Sequence, residues 1–458
     1  MAGKESNPVQ QRMEMLAEKW EAVRKNPDVS LVRIHAQDNE KDMIDAFYTY
    51  LLGIDTNNKD IPIIFNSIYH NDDQYVKALL LELADMIETW NIAGKDNIDV
   101  EIHQLDWAPD YKLTDSGNPV FLFVQNINNL AVHLNLQEGV YLVPVFRVSF
   151  TKPNAVSRWL HLGIKAGIHP KVKWVVDDTV SNPFYQRLVE KDHGKVATLV
   201  PDLDMDNAMQ QVAAMGNPND PGVQYRKAFV LLVQSIEKRK ESDAEKYADV
   251  CIEIANNNLI KSEYWIGQVI AVNAALANDQ VGYKNFKKAI LYSTRGVEAA
   301  EKSKERISDE FIHRKFIAQA VMLRASLYTV TKEWLKAIED FTIAAKHYVY
   351  TNDIILAMEA FRMIGYANNK SGNNDAACKA LAEAVAISRQ IPEHVIKFTT
   401  FAGVIEMLFE INNLKYISNQ AVEDAAFFIY GDEWKEEIRN WKNPHYEQQD
   451  DPAKAMMM

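Results

Sequence analysis

The hydrophobic period of the chain changes near residue 215, and this change restricts the possible folds more than any other feature. Before it, short runs rich in β-branched and aromatic residues recur: "VSLVRIHA" (29–36), "DIPIIFNSIY" (60–69), "NPVFLFVQNI" (118–127), "GVYLVPVFRVSF" (139–150), "VKWVVDD" (172–178) and "KVATLVPD" (195–202). These runs are nearly continuous in apolar character, as strands covered on both faces are. Helices are predicted between them over 41–53, 73–91, 154–167 and 183–191, and an N-terminal helix within 1–28. Such alternation predicts an α/β layer with a mostly parallel sheet, because parallel neighbours need a crossover connection. The stretch "IDVEIHQLDWAPDYKLT" (98–114) breaks the alternation and reads as an inserted hairpin or excursion.

At "MGNPNDPGVQYRKAF" an Asn-Pro step, an Asp-Pro step and two glycines make a loop that neither helix nor strand continues through. Beyond it the strand-type runs vanish and long helical patterns alternate with short turns. The expected organisation is an α/β domain over 29–216, an all-α helical solenoid over 222–440 and a loose tail over 441–458. Tryptophans 90, 159 and 334 fall at helical apolar positions, where core packing is the plain account.

Charge narrows the partners. The formal net charge is -13, which repels phosphate backbones unless a basic stripe offsets it. The dense basic stretches "EKRKE" and "EKSKER" are broken by acids at helical spacing and read as solvated helix faces, so nucleic-acid binding is not expected. No apolar run reaches the roughly eighteen residues of a membrane span, and no apolar h-region follows the start, so neither membrane insertion nor secretion is expected. Cys251 and Cys378 lie in helical patterns beside alanines and read as buried thiols in a reduced, cytoplasmic setting.

The second half repeats itself. One segment places small or large apolar residues at Ala325, Tyr328, Ala337, Phe341 and Ala344; the next gives Gly365, Asn368, Ala377, Leu381 and Ala384 at the same offsets. Antiparallel helices approach closely only where a side chain is small, and the large residue fills the groove beside it. Ala248, Ile252 and Ala255 continue the pattern, whereas Ser293 and Gly296 depart from it after Ala289. The segment 393–431 reads as a terminal helical pair. The pattern resembles the tetratricopeptide repeat, with another α-solenoid as the alternative. The alanines at 248, 289, 337 and 377 are 41, 48 and 40 apart, so the array is irregular beside the family's usual repeat of about 34. The resemblance implies binding of a protein or peptide partner on the face lined by the first helix of each hairpin. Carried over by register, that face comprises Gln319, Met322, Ser326, Thr329, Glu359, Arg362, Tyr366 and Asn369. The alternative for these residues is packing against a neighbouring domain.

Lys41 follows a strand and precedes a helix, as a phosphate-binding lysine does, but "HAQDNEKD" lacks both glycines of G-x-x-x-x-G-K-[ST] and flanks the lysine with Glu40 and Asp42. Asp38 or Asn39 is the expected helix cap. The expected acidic strand tip is replaced by Gln125 and Asn126, whereas "VKWVVDDT" does end in Asp177 and Asp178, one of them expected as a cap. The strand order and loop positions resemble P-loop NTPases of the signal-transduction (STAND) type, in a degenerate form. The resemblance implies a domain without hydrolysis and with no cofactor. A nucleotide-regulated switch centred on Lys41 is the alternative, and an enzyme with its site at Asp177 and Asp178 is a third reading.

Other chemistry is weak. Asp202, Asp204 and Asp206 match only the first half of a calcium loop, whose later positions are Asn207 and Ala213, so a capped helix start is expected instead. His161 and His169 do not form a ligand pair, and no nucleophile motif is present. The leading expectation is a non-enzymatic adaptor or scaffold, a component or chaperone of a larger assembly.

Overall fold

The computed structural model describes residues 7–52, 59–96, 104–112, 117–147, 153–411 and 415–441. Its first part runs α1 (Pro8–Arg24), β1 (Leu31–Ala36), α2 (Lys41–Leu51), β2 (Ile61–Phe65), α3 (Asp72–Asp96), α4 (Pro119–His133), β3 (Leu142–Phe146), α5 (Pro153–Gly167), β4 (Trp174–Thr179), α6 (Gln186–Lys191), β5 (Val196–Leu199) and α7 (Met205–Ala213). The strands form one sheet in the order β2-β3-β4-β1-β5, and every pairing is parallel.

The helices are distributed as right-handed crossovers require. The chain leaves β1 for the far edge, returns through β3 and β4, then passes β1 to reach β5. The outward step runs opposite to the later ones, so its helix lies on the opposite face. Thus α1 and α2 cover Val32, Ile34, Val143, Val145 and Val175, while α3 to α6 cover Leu31, Phe65, Leu142, Phe146, Trp174 and Val176. The strict alternation of faces along β1, β3 and β4 follows from the two-residue period of a strand. On the second face Trp159 stacks on Trp174 with ring centroids 5.4 Å apart, and Phe146 meets both edge-on. Gly163 lies against the Trp174 indole, where a β-carbon would overlap the ring.

Three expectations need correction. The run 118–127 is helix, not strand: Asn118 caps it by accepting from the Val120 N–H at 3.0 Å, Pro119 occupies the first turn, and Val120, Phe123, Ile127 and Leu130 are buried. An apolar run buried on most sides reads alike in either conformation. Asn126 is therefore no strand tip; its side chain donates to Asp110 O at 2.9 Å and accepts from Asp110 N at 2.7 Å. Within 98–114 the described residues 104–112 form no strand and are held by such clamps, including Asn91 to Leu105; the remainder lies outside the described residues. Trp90 is 55% exposed on α3, whereas Trp159 is buried and Trp334 half-buried.

The rest of the described chain is helical: α8 (Pro221–Glu237), α9 (Glu241–Asn258), α10 (Tyr264–Gly282), α11 (Phe286–Lys302), α12 (Glu310–Val330), α13 (Trp334–Tyr350), α14 (Ile354–Lys370), α15 (Asn374–Ser388), the single turn α16 (Glu393–Ile396), α17 (Phe401–Ile411), α18 (Asn419–Tyr430) and α19 (Trp434–Trp441). By contact the chain divides into two compact units, Met1–Val212 and Ala213–Met458. In the second, α8 to α15 pack as successive antiparallel hairpins. Ala248, Ala255, Ala289, Ala325, Ala337, Ala344, Ala377 and Ala384 are all fully buried. The reason is explicit at Gly365, where an added β-carbon would lie 2.6 Å from Leu381 Cγ of the partner helix. In the hairpin that departs from the pattern, Gly296 faces Asn273, and Ser293 turns its hydroxyl to Ile290 O.

The turns repeat as well. Arg239, Lys284, Lys332, Asn352 and Gly372 each take positive φ just past a helix end. The next residue's N–H then returns to a carbonyl five back, as in Asn285 to Gln280, Glu333 to Tyr328 and Asn373 to Asn368. This satisfies the last carbonyls of each helix, in the manner of a Schellman cap. Both cysteines are buried thiols outside any disulfide. The sequence 442–458, including most of the expected tail, lies outside the described residues.

Candidate functional site

In a parallel sheet with this order, ligands bind at the carboxyl ends of the strands, where β1 separates β4 from β5. The loop after β1 is a single 3-10 turn, Asp38–Glu40, leading into α2. Glu40 is only 2% exposed. One of its oxygens accepts from Gln37 N at 2.8 Å and the other from Leu203 N at 2.5 Å. An anion-binding loop turns backbone N–H groups toward a phosphate; here an internal carboxylate takes one N–H of the loop and one from the segment after β5. Glu40 is also the residue that closes the turn, correcting the expected cap. Asp38 instead accepts from Ser181 Oγ at 2.8 Å, and Asn39 donates to Asp206 at 2.9 Å. Lys41 is exposed in the first turn of α2.

The acidic tip of β4 divides by strand alternation. Asp178 points to the face of α3 to α6 and is buried against Arg33, with Arg33 Nε donating to it at 2.7 Å. Its oxygens also accept from the backbone of Thr179, Phe184 and Tyr185 at 3.1, 2.9 and 3.2 Å. A carboxylate has about four acceptor positions, and these four donors use them. Arg33 is held in turn by Gln186 and His35, each at 3.0 Å. The expected capping role is met at Phe184 and Tyr185, just ahead of α6.

Asp177 points the other way, to α2, and accepts a hydrogen bond from the Tyr48 hydroxyl. Burial pushes its carboxyl up to about 6, and the same desolvation, with Asp177 adjacent, raises the Tyr48 phenol well above its ordinary value. Asp45 and Arg147 form an ion pair at 2.5 Å nearby and act on Asp177 in opposite senses. The pair Tyr48–Asp177 is thus a carboxyl group and a phenol held together between β4 and α2, Tyr48 buried and Asp177 half-buried. Among the described residues no group of three or more His, Cys, Asp or Glu could hold a metal ion.

On the helical unit the residues carried over by register come from α12 and α14. Gln319 is exposed; Met322, Ser326, Glu359, Arg362, Tyr366 and Asn369 are half-buried. Thr329 is buried and its hydroxyl donates to Ala325 O at 3.0 Å, so it offers no contact surface and leaves the expected face. Arg362 grips Glu359 through two bonds of 2.7 Å, and Glu359 also accepts from Thr400 Oγ1 at 2.5 Å. This ties α14 to the turn ahead of α17. Tyr366 packs edge-on to Trp334, 6.1 Å between ring centroids, with the Lys370 ammonium 5.4 Å above its ring.

No family model matches the chain, and no curated protein matches it. Solved structures similar over nearly the whole length include the apo form of RapI, at 10% identity, covering 97% of this chain and 96% of that one with a TM-score of 0.33. Aspartyl phosphate phosphatase F from Bacillus subtilis matches at 12% identity, over 100% and 94% of the two chains, with a TM-score of 0.33. A STAND protein with a tetratricopeptide repeat sensor from Pyrococcus horikoshii matches at 10%, over 96% and 97%, with a TM-score of 0.23. At these TM-scores the likenesses carry no argument about fold or function. Among the described residues no helix is long and apolar enough to cross a membrane.

Proposed function

We propose that the protein is a non-enzymatic adaptor that binds a protein partner through its tetratricopeptide-like helical hairpins. The reading rests chiefly on the construction of that unit. Small residues close the hairpins from inside, at Ala325, Ala337, Gly365 and Ala377, while Gln319 is exposed and Met322, Ser326, Tyr366 and Asn369 stay half-exposed on α12 and α14. Support from the first unit is indirect. Glu40 engages one backbone donor of the β1 loop, Gln37 N, and one beyond β5, Leu203 N, and Asp178 is saturated by Arg33 and three N–H groups, so neither is poised for phosphate or magnesium. We read this unit as a degenerate P-loop-like domain. The alternative, a nucleotide-regulated STAND-type switch, would require Glu40 to give up both of its N–H donors.

The test is capture with the full-length chain as bait, identification of the retained proteins, and reconstitution with the purified partner. Gln319→Arg with Asn369→Arg should weaken the reconstituted complex tenfold or more. These positions are better probes than Arg362, whose fork with Glu359 is part of the packing. Undiminished binding by the folded double variant would remove the α12–α14 face from the proposal.

A further inference from the structure

Between α9, α10 and α11 the helical unit leaves a cleft of about 260 Å³. Its floor is apolar, formed by Leu259, Ile266 and Val269, and its rim carries Arg295, Lys302 and Arg306 with the single carboxylate of Glu298. Among the described residues none of these three cations is in an ion pair; Arg295 lies over the Tyr292 ring at 5.4 Å. The turn that supplies Leu259 also presents Ile260 at 92% exposure and leads into Tyr264 at 70%. Large apolar side chains exposed next to an apolar cleft mark a contact surface. Three cations against one carboxylate stand out in a chain whose net charge is -13.

We propose that this cleft docks a short acidic segment of a partner protein, one apolar side chain on the floor and flanking carboxylates on Arg295, Lys302 and Arg306. The proposal deepens the adaptor reading by giving the partner's chemistry and a place for it outside the α12–α14 face. Size and charge select this occupant. The cleft is smaller than the ~300–1,000 Å³ usual for small-molecule sites, and it admits a side chain or two. Arg295 and Lys302 are two helical turns apart on one face of α11, about 10 Å, which an extended peptide spans in three residues. A nucleic-acid backbone would carry its charge past this rim into the acidic remainder of the chain, where it is repelled.

The probe is a fluorescein-labelled peptide, Gly-Glu-Asp-Leu-Asp-Glu-Gly, titrated with the full-length protein by fluorescence anisotropy. The expected result is saturable binding below 1 mM that weakens with ionic strength. Replacing the leucine by glycine, or the acids by lysine, should weaken it at least tenfold. Lys302→Gln with Arg306→Gln should do the same; both side chains are exposed, and an unchanged melting temperature shows that the fold is intact. No binding at 1 mM, equal binding of the lysine peptide, or full affinity in the glutamine variant would each overturn the proposal. Gln319→Arg with Asn369→Arg should leave peptide binding unchanged. Loss of partner binding in that variant alone would therefore sustain the adaptor reading while the cleft failed.

Discussion

The two units solve the burial of polar and apolar groups differently. In the first, buried polar side chains are each met by dedicated partners: Arg33 on β1 with Asp178 on β4, Glu40 in the turn after β1 with two backbone N–H groups, and Asn126 on α4 with Asp110. In the second, helices close on alanine and glycine, and the contacts run from each hairpin to the next. A sheet of this kind depends on a few partners that cannot be exchanged, whereas a stack of hairpins spreads its stability over many similar contacts.

The sharpest way to break that contrast is Asp178→Ala. It leaves Arg33 buried without its counter-ion, and a loss of about 3–5 kcal/mol is expected. Hydrogen exchange should show lost protection in β1 and β4 but not in α12 to α15. Equal loss in both regions would mean that the units do not differ as described.

Packing gives the next comparison. Gly163→Ala drives a methyl into Trp174, which is fixed by Trp159 and Phe146, and a loss near 3 kcal/mol is expected. Gly365→Ala meets the fully buried Leu381, one aliphatic side chain in place of a stacked indole, so a smaller loss of about 2 kcal/mol is expected there. Paired denaturant melts would show the order, and the reverse order would contradict it.

A smaller effect concerns pH. Burial raises the Asp177 carboxyl from 3.8 to about 6 in the folded protein. The native state therefore holds this proton more tightly than the unfolded chain does. Its contribution favours folding at low pH and is lost as pH rises through about 6. Asp177→Asn keeps an acceptor for Tyr48 and should stabilise the protein by roughly 1 kcal/mol at pH 8, with little gain at pH 4. Melts at the two pH values check this, and a gain equal at both would dismiss the titration of Asp177 as its cause. Smallest is Lys332→Gly, which relieves a positive-φ turn and should add about 0.5–1 kcal/mol, read from the same melts.

Periodicity carried the reading of the sequence wherever one face of an element was buried. The five strands and the hairpins with Ala337 and Ala377 lie within or close to the predicted spans because strands of period two and helices of period 3.6 leave distinct patterns there. It failed at 118–127, where nearly every residue is apolar and the period is lost. The signal that could have separated the states was Asn118-Pro119, a cap followed by a first-turn proline. The site was less legible. Missing glycines showed that the β1 loop was unusual, but Glu40 as its internal anion depends on Leu203, far along the chain. A Gln37-x-x-Glu40 spacing was the local hint of the backward bond. Arg295, Lys302 and Arg306 were hidden for another reason: acids interleave with them in sequence, and only the folded helix sorts them onto a cleft.

If the helices and not the β1 loop carry the binding, as proposed above, nucleotide leaves the protein unaffected. Titrating the full-length protein with ATP and ADP in the presence of magnesium, while following the melting temperature, tests it most directly. A ligand at a hundred times its Kd stabilises by about 2.7 kcal/mol, and the account predicts no shift at millimolar nucleotide. A saturable rise that disappears in Lys41→Ala would contradict it.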